Sequence, residues 1–168
     1  MLEVAAEVFA AEGLAVPVHE IARRAGVGTG TVSRHFPTKE ALFAAILLER
    51  MAGLTAEADE LAEQRAPGEA FFRFFASLVR AGADNRGLAE ALAGAGLDLD
   101  EAGAEAGHDV RGRLQELLGR AQQAGAVRAD IVYPDLKALI VGCQAHPAAD
   151  RESLDRIIDV VCAGLRTG

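Results

Sequence analysis

The 168-residue chain lacks tryptophan, has a single tyrosine and has only two cysteines. It contains no apolar run of about 18 residues, which a membrane-spanning helix requires, so the sequence excludes a transmembrane segment. Two cysteines without a secretory leader are typical of the reducing cytoplasm, where we expect the protein to work. The hydrophobic share of 51% and the charged share of 25% are those of an ordinary globular protein.

The motifs that mark most enzymes and metal proteins are also missing. The chain has no glycine-rich phosphate loop, no nucleophile elbow and no closely spaced histidine or cysteine pair. Asp98 and Asp100 lie in a stretch rich in glycine and alanine, and we interpret them as solvated charges rather than an acid–base pair. We therefore expect neither an enzyme nor a metal site or other cofactor.

Apolar residues recur at helical spacing along almost the whole chain, and no segment shows the sustained alternation of a strand. The pattern predicts an all-α fold in which a long helix starts after Thr38 and ends near Glu63. We expect a mobile loop between Gly94 and Gly107. Pro147 is expected to close the next-to-last helix and Asp150 to cap the last one.

The most informative segment is residues 21–43, with the sequence IARRAGVGTGTVSRHFPTKEALF. It contains two short helical patterns around Gly26, which can adopt the positive φ of a tight turn. Ala22 allows the two helices to approach closely, and Val32 can fill the small core beneath them. Such a turn can place the second helix in the major groove of DNA. A polar, solvated helix face on a small bundle is the alternative.

The net charge of −8 is unusual for a protein that binds DNA, but the charge is unevenly distributed. Residues 17–50 hold five basic and three acidic residues, whereas residues 51–168 hold twelve basic and nineteen acidic ones. The acidity therefore lies mostly outside the candidate DNA-binding segment. We expect modest non-specific affinity for DNA with strong dependence on salt.

Residues 2–47 resemble the N-terminal domain of TetR-family repressors. The matching runs are VAAEVFAAEGL, VHEIARRAGV and GTVSRHFPTKEALF, and the later run QQAGAVRADI is similar to some C-terminal domains of the family. The resemblance implies a three-helix helix-turn-helix DNA-binding domain over residues 1–48. A long helix would join this domain to a helical effector-binding and dimerisation domain over residues 49–168.

The resemblance also implies roles for individual residues. Thr29, Gly30 and Thr31 would lie nearest the bases, and His35 and Lys39 would contact phosphate. Ser33 stands where the family usually has tyrosine. The exposed hydroxyl and guanidinium groups of this segment can reach bases or phosphates. The candidate DNA-binding residues are Thr29, Gly30, Thr31, Ser33, Arg34, His35 and Lys39. A helical protein-interaction module whose N-terminal domain no longer binds DNA remains the alternative.

Four of the seven phenylalanines lie within residues 71–75. They are either a core stripe or one wall of an apolar pocket, the usual form of a small-molecule site. The resemblance favours a pocket for an apolar effector that releases a repressor from its operator. The candidate effector-binding residues are Phe71, Phe75, Leu78, His108, Cys143 and Gln144.

The last two predicted helices carry broad apolar stripes. Paired across a two-fold axis they would form a four-helix bundle and thus a homodimer, which predicts a near-palindromic double-stranded operator. Alternatively, both stripes close the core of one chain. The candidate interface residues are Leu136, Leu139, Ile140, Leu154, Ile157, Ile158, Val161 and Leu165. Cys143 and Cys162 are expected to be buried free thiols rather than a redox pair.

Overall fold

The computed structural model describes residues 1–146 and 151–168, so the expectations for Pro147 and Asp150 lie outside the described residues. The described residues form ten helices and no strand, which confirms the all-α prediction. The helices are α1 (Leu2–Glu12), α2 (Val18–Arg24), α3 (Thr29–His35), α4 (Lys39–Gln64), α5 (Pro67–Asp84), α6 (Arg86–Gly94), α7 (Leu99–Glu105), α8 (Val110–Gln123), α9 (Tyr133–Gln144) and α10 (Arg151–Leu165).

Helices α1 to α3 and the start of α4 form the N-terminal head, residues 1–48. Its core contains an edge-to-face aromatic pair, Phe9 and Phe43, whose ring centroids are 5.0 Å apart. Ile21 and Val32 are buried beside this core, as the sequence predicts for the inner faces of α2 and α3. One buried side chain on α3 therefore fixes which face of that helix points outward.

The turns of the head follow from local chemistry. Gly26 adopts a φ of 67°, as the predicted tight turn requires, and Val27 donates its backbone N–H to the Ala22 carbonyl at 3.0 Å. Pro17 lies just before α2 as its capping residue. The Thr38 hydroxyl caps α4 by accepting the backbone N–H of Ala41 at 3.1 Å.

Helix α5 is the centre of the C-terminal domain and packs against α4, α8 and α9. Its rings Phe71, Phe74 and Phe75 are fully buried and form one large core with leucines of α8 and with Leu136 of α9. Burial of several aromatic rings supplies much of the hydrophobic stabilisation of such a core. The core therefore holds the C-terminal end of α4 rigidly against α5.

Helix α6 packs against the head although it follows α5 in the chain. Leu88 and Leu92 are buried in the same hydrophobic cluster as Phe9 and Leu47. The core of residues 1–48 is thus completed by two leucines from beyond that range, and α6 physically connects the head with the C-terminal domain.

Helix α7 lies inside the segment Gly94–Gly107, so the prediction of a loop throughout this segment is wrong. Asp98 makes the helix possible, because its Oδ1 accepts the N–H groups of Asp100 at 2.9 Å and Glu101 at 3.1 Å. Gly103 is the buried residue of α7 and contacts Met51 of α4. Helix α7 is therefore held against the long helix.

Candidate functional sites

The outward surface of α3 carries the residues that the sequence predicts for DNA contact. All six predicted residues of this helix are exposed: Thr29, Gly30, Thr31, Ser33, Arg34 and His35. The helix follows Gly28 at its N-terminal cap, where no side chain occupies the cap position. The backbone N–H groups of its first turn are thus left without a side-chain acceptor. This surface offers hydroxyl, guanidinium and imidazole groups on one short helix.

Two basic side chains of the head are available to an external anion. Neither Arg34 nor Lys39 forms an ion pair with a carboxylate within the described residues. Lys39 is half-buried, and its Nζ atom lies 5.7 Å from the ring centroid of Phe9. This cation–π contact orients the ammonium group at the start of α4, where the helix dipole also attracts anions.

Arg23 and Arg24 differ from these two residues because acidic neighbours already bind them. Glu20 accepts hydrogen bonds from Arg23 at 2.7 and 2.9 Å and from Arg24 at 2.8 Å, and Arg24 also pairs with Glu12. Hydrogen bonds from Arg23 and Arg24 lower the pKa of Glu20 to about 2. Both arginines are therefore held by carboxylates of the head and are not free to bind an external anion.

A cavity of about 210 Å³ lies between α5, α7, α8 and α9. Two of the predicted effector residues, Leu78 and Gln144, line it. The remaining lining residues were not predicted as effector-binding residues, and one of them, Ile140, was predicted for the dimer interface. They are Asp100, Val110, Arg111, Leu114, Tyr133, Lys137, Ile140 and Val141. The α9 members at positions 133, 137, 140 and 144 lie on one face of the helix because they are three or four residues apart. Three of these four side chains are polar although the face is otherwise apolar, and this pattern is the sequence signal that could have identified the cavity wall.

The other predicted effector residues do not line this cavity. Phe71 and Phe75 are fully buried in the core, and Cys143 is 4% exposed. These three side chains fill the space between helices. For the two phenylalanines, this is the core stripe that the sequence offered as the alternative to a pocket wall. His108 is half-buried beyond the end of α7, where its backbone N–H donates to the Gly103 carbonyl at 2.8 Å.

Polar contacts hold the wall of this cavity. Gln144 donates from Nε2 to the Leu78 carbonyl at 3.1 Å and thereby links α9 to α5. Its amide fits only because position 82 is glycine, where a β-carbon would lie 1.8 Å from Nε2. Lys137 donates to Oδ2 of Asp100 at 3.1 Å, and this hydrogen bond raises the pKa of Lys137. The cavity is thus bordered by one ion pair and one half-buried amide.

A second hollow, of about 510 Å³, lies where α1 meets α4 and α5. Two of its arginines already have acidic partners, since Arg80 pairs with Asp155 and Arg151 with Asp84. Its other lining groups include exposed charges of both signs from the head and from α4. The cavity beside Gln144 has the better combination of buried apolar wall and few polar groups.

The predicted interface residues divide into two groups. Four are buried within one chain, and the other four are half-buried beside them. The buried group is Leu136, Leu154, Ile158 and Leu165, and the half-buried group is Leu139, Ile140, Ile157 and Val161. Val160 is 72% exposed and continues the outward face of Ile157 and Val161 on α10. The inner members thus close the monomer core. Of the outer members, Ile140 lines the cavity beside Gln144, so Leu139, Ile157 and Val161 remain for a partner.

Cys143 and Cys162 are free thiols in the core. Burial raises the pKa of both thiols, which disfavours the reactive thiolate form. Across residues 1–146 and 151–168, no cluster of three potential ligands is arranged to hold a metal ion. Within the same ranges no helix has the length and apolarity needed to cross a bilayer.

Family models match both parts of the chain. The model described as "Bacterial regulatory proteins, tetR family" matches residues 1–46. The model described as "Transcriptional regulator SbtR-like, C-terminal domain" matches residues 66–167. The gap between them falls within α4 and its junction with α5. No functionally curated protein matches the sequence.

Solved structures match at nearly full length. A TetR transcription regulatory protein from Mycobacterium vanbaalenii is 46% identical, covering 99% of this chain and 92% of that chain at a TM-score of 0.76. The regulator SCO0520 from Streptomyces coelicolor is 32% identical over 98% and 95% of the two chains, also with a TM-score of 0.76. The chain therefore belongs to the TetR family of bacterial regulators, which are DNA-binding transcription factors and not enzymes.

Proposed function

We propose that this regulator is a homodimeric repressor that a small molecule releases from its operator. The observation that carries the proposal is the continuity of α4. Its first residue is Lys39, a free cation on the DNA-facing side of the head, and its last turns pack in the core of the C-terminal domain. A helix of 26 residues is about 39 Å long and transmits a small tilt to its far end.

The proposed DNA contacts come from α3 and the start of α4. Thr29, Gly30, Thr31 and Ser33 would face the bases, with Arg34, His35 and Lys39 on bases or phosphates. This assignment is supported by the exposure of the whole outer face of α3. It is also supported by the absence of carboxylate partners for Arg34 and Lys39 among the described residues.

The proposed effector site is the cavity beside Gln144. Its buried residues are Leu78 and Leu114. Helix α7 lines the cavity and contacts α4, and α6, which precedes it in the chain, packs in the core of the head. Suppose that the ligand binds more tightly to the dimer when the spacing of its two heads does not match the operator. The ligand must then weaken DNA binding by the same factor by which DNA weakens ligand binding. Helix α4 and the α6–α7 segment are the physical routes for this coupling.

The proposed dimer uses the outward faces of α9 and α10. Ile157, Val160 and Val161 are supported as its centre, because they share one face of α10 and expose apolar surface. Two such helix pairs form a bundle around a two-fold axis. The two α3 helices would then meet a near-palindromic operator about one DNA turn, or a multiple of it, apart.

The test of the DNA contacts is a gel-shift titration with the DNA upstream of the chain's own gene. Arg34→Ala and Lys39→Ala should each weaken retention by about tenfold and make it less dependent on salt. Arg23→Ala is the matched control, because Glu20 already binds that guanidinium, and its effect should be smaller. Retention that is unchanged in both Arg34→Ala and Lys39→Ala would refute the assigned surface and favour an interaction module.

The oligomeric state is tested separately by sedimentation. Val160→Glu should convert the dimer to monomer without unfolding it, since the valine is exposed in a single chain. Val132→Glu is the matched control, because Val132 is 54% exposed and lies before α9. A Val160→Glu protein that sediments as the unaltered dimer would contradict the proposed interface.

A further inference from the structure

The cavity beside Gln144 has an apolar interior and a charged opening. Leu78 and Leu114 are buried and form the inner wall. Asp100, Arg111 and Lys137 line the same cavity and are exposed, so they lie at its opening. A ligand that fits must therefore bring an apolar body to the inside and a polar group to the outside.

The charges at this opening favour an anion. Lys137 is paired with Asp100, whereas Arg111 has no carboxylate partner within the described residues. The Arg111 guanidinium instead lies over the ring of Tyr133, with Cζ 4.8 Å from the ring centroid. Two cations thus face one carboxylate, and a guanidinium is the group that best binds a second carboxylate.

The neighbouring groove does not cancel this preference. It has a volume of about 610 Å³ and shares Asp100, Lys137, Val141 and Gln144 with the cavity. Its other charged groups are already engaged, because Arg86 pairs with Glu90 at 2.6 Å and Asp98 caps α7. Arg111 is therefore the cation without a carboxylate partner among the residues that line the two spaces.

We propose that the effector is a small amphipathic carboxylic acid, bound as its carboxylate by Arg111 and Lys137. Its apolar chain lies between Leu78, Leu114 and Ile140. The carboxylate takes the place of Asp100 on Lys137. This identification of the ligand class rests on the proposed function, which makes this cavity the effector site.

The size of the cavity limits the ligand. Its 210 Å³ is below the range of about 300–1,000 Å³ usual for small-molecule pockets, so the acid is short or reaches into the neighbouring groove. A straight-chain acid with one terminal carboxylate can do either, since a short chain fits the cavity and a longer one can extend into the groove. A large polycyclic molecule does not fit without displacement of the wall.

The exchange of Asp100 for the ligand carboxylate has a mechanical consequence. The Lys137–Asp100 pair ties α9 to α7, and α7 rests on α4 through Gly103 and Met51. Loss of the pair frees α7 from α9 and so changes the support of the long helix that carries the head. The ligand thereby acquires different affinities for the two states, which an effector requires.

The chain offers a built-in probe for this binding. Tyr133 is the only tyrosine, and there is no tryptophan, so fluorescence excited selectively at tyrosine arises from the cavity wall alone. The experiment is a fluorescence titration with straight-chain acids from butanoate to decanoate, with the matching alcohols as controls and thermal shift as a second readout. At least one acid should bind saturably, and its alcohol should bind at least tenfold more weakly.

Variants distinguish the proposed contacts. Arg111→Met and Lys137→Met should each weaken acid binding by about tenfold, whereas Asp100→Asn should tighten it several-fold by removal of the competing carboxylate. The proposal is overturned if no acid binds saturably, if alcohols bind equally well, or if Asp100→Asn binds no tighter. Operator retention measured without ligand is independent of these results, so a protein that retains DNA but binds no acid refutes the ligand class alone.

Discussion

Met51 of α4 packs so closely against Gly103 of α7 that a β-carbon at position 103 would lie 2.0 Å from Cε and 2.9 Å from Sδ of the methionine. The same β-carbon would be 3.2 Å from the carbonyl oxygen of His108. The methionine can move, but the backbone carbonyl is less free to do so. Only glycine therefore fits at position 103 without a shift of its neighbours. The close contact also fixes the distance between α7 and the long helix.

Gly103→Ala should destabilise the protein by about 1–2 kcal/mol. The cost of overpacking, about 1–3 kcal/mol, exceeds the gain of up to about 1 kcal/mol in helix propensity. Gly53→Ala is the control, because Gly53 is an exposed glycine of α4 with open space around it, and it should stabilise slightly. Urea unfolding measures both, and equal effects of the two substitutions would contradict the close contact.

Leu92→Ala should destabilise the head, although Leu92 lies outside residues 1–48. The side chain is 2% exposed in the cluster that contains Phe9 and Leu47, and loss of a buried leucine costs about 2–5 kcal/mol. We expect reduced operator retention and faster proteolysis within α1–α3. Leu97→Ala, at a leucine that is 37% exposed, should leave both measurements unchanged. Normal protease resistance in Leu92→Ala would show that the head does not need α6.

Glu20→Gln should strengthen binding to DNA. The substitution weakens the hold on Arg23 and Arg24, and each arginine that then reaches a phosphate raises the salt slope by about 1. Glu63→Gln removes the same charge at the exposed end of α4, where Glu63 has no partner among the described residues. Binding titrations at several salt concentrations measure the slopes. Equal slopes for Glu20→Gln and Glu63→Gln would mean that the arginines stay away from DNA.

The Glu20 ion pairs should also make stability depend on pH. The folded pKa of about 2 lies below the ordinary value of 4.5, so the contribution is fully present above about pH 4.5 and is lost as the pH falls toward 2. The difference in free energy of unfolding between wild type and Glu20→Gln should therefore be constant above about pH 4.5 and shrink as the pH falls toward 2. Urea titrations at stepwise pH values measure it, and a difference that grows on acidification would contradict the ion-pair geometry.

The head could be predicted from the sequence because its determinants are local. Gly26, Val32 and Thr38 each specify a turn, a buried face or a cap within a few residues of chain, and the structure places all three as expected. The free and engaged arginines could not be separated in this way. Their difference depends on which carboxylates lie nearby. Glu20 pairs with Arg24 within α2, whereas Glu12 pairs with Arg24 from the neighbouring helix α1.

The cavity beside Gln144 was harder to predict because it depends on tertiary packing. The phenylalanines of α5 occupy the space between four helices and leave no room for a ligand, which their spacing alone does not reveal. The cavity lies instead between α5, α7, α8 and α9. Helix α7 was missed because its composition is typical of a loop, and the cap at Asp98 outweighs the composition.

The two leucines of α6 that complete the core of the head have a consequence for engineered regulators. A chimera made by transplanting residues 1–48 onto another sensor domain would leave a hole where Leu88 and Leu92 belong. New pairings of sensor and operator should therefore carry α6 along with the head, or redesign the two surfaces where they meet. The DNA-binding head and the C-terminal domain of this chain therefore have to be exchanged with their shared core intact.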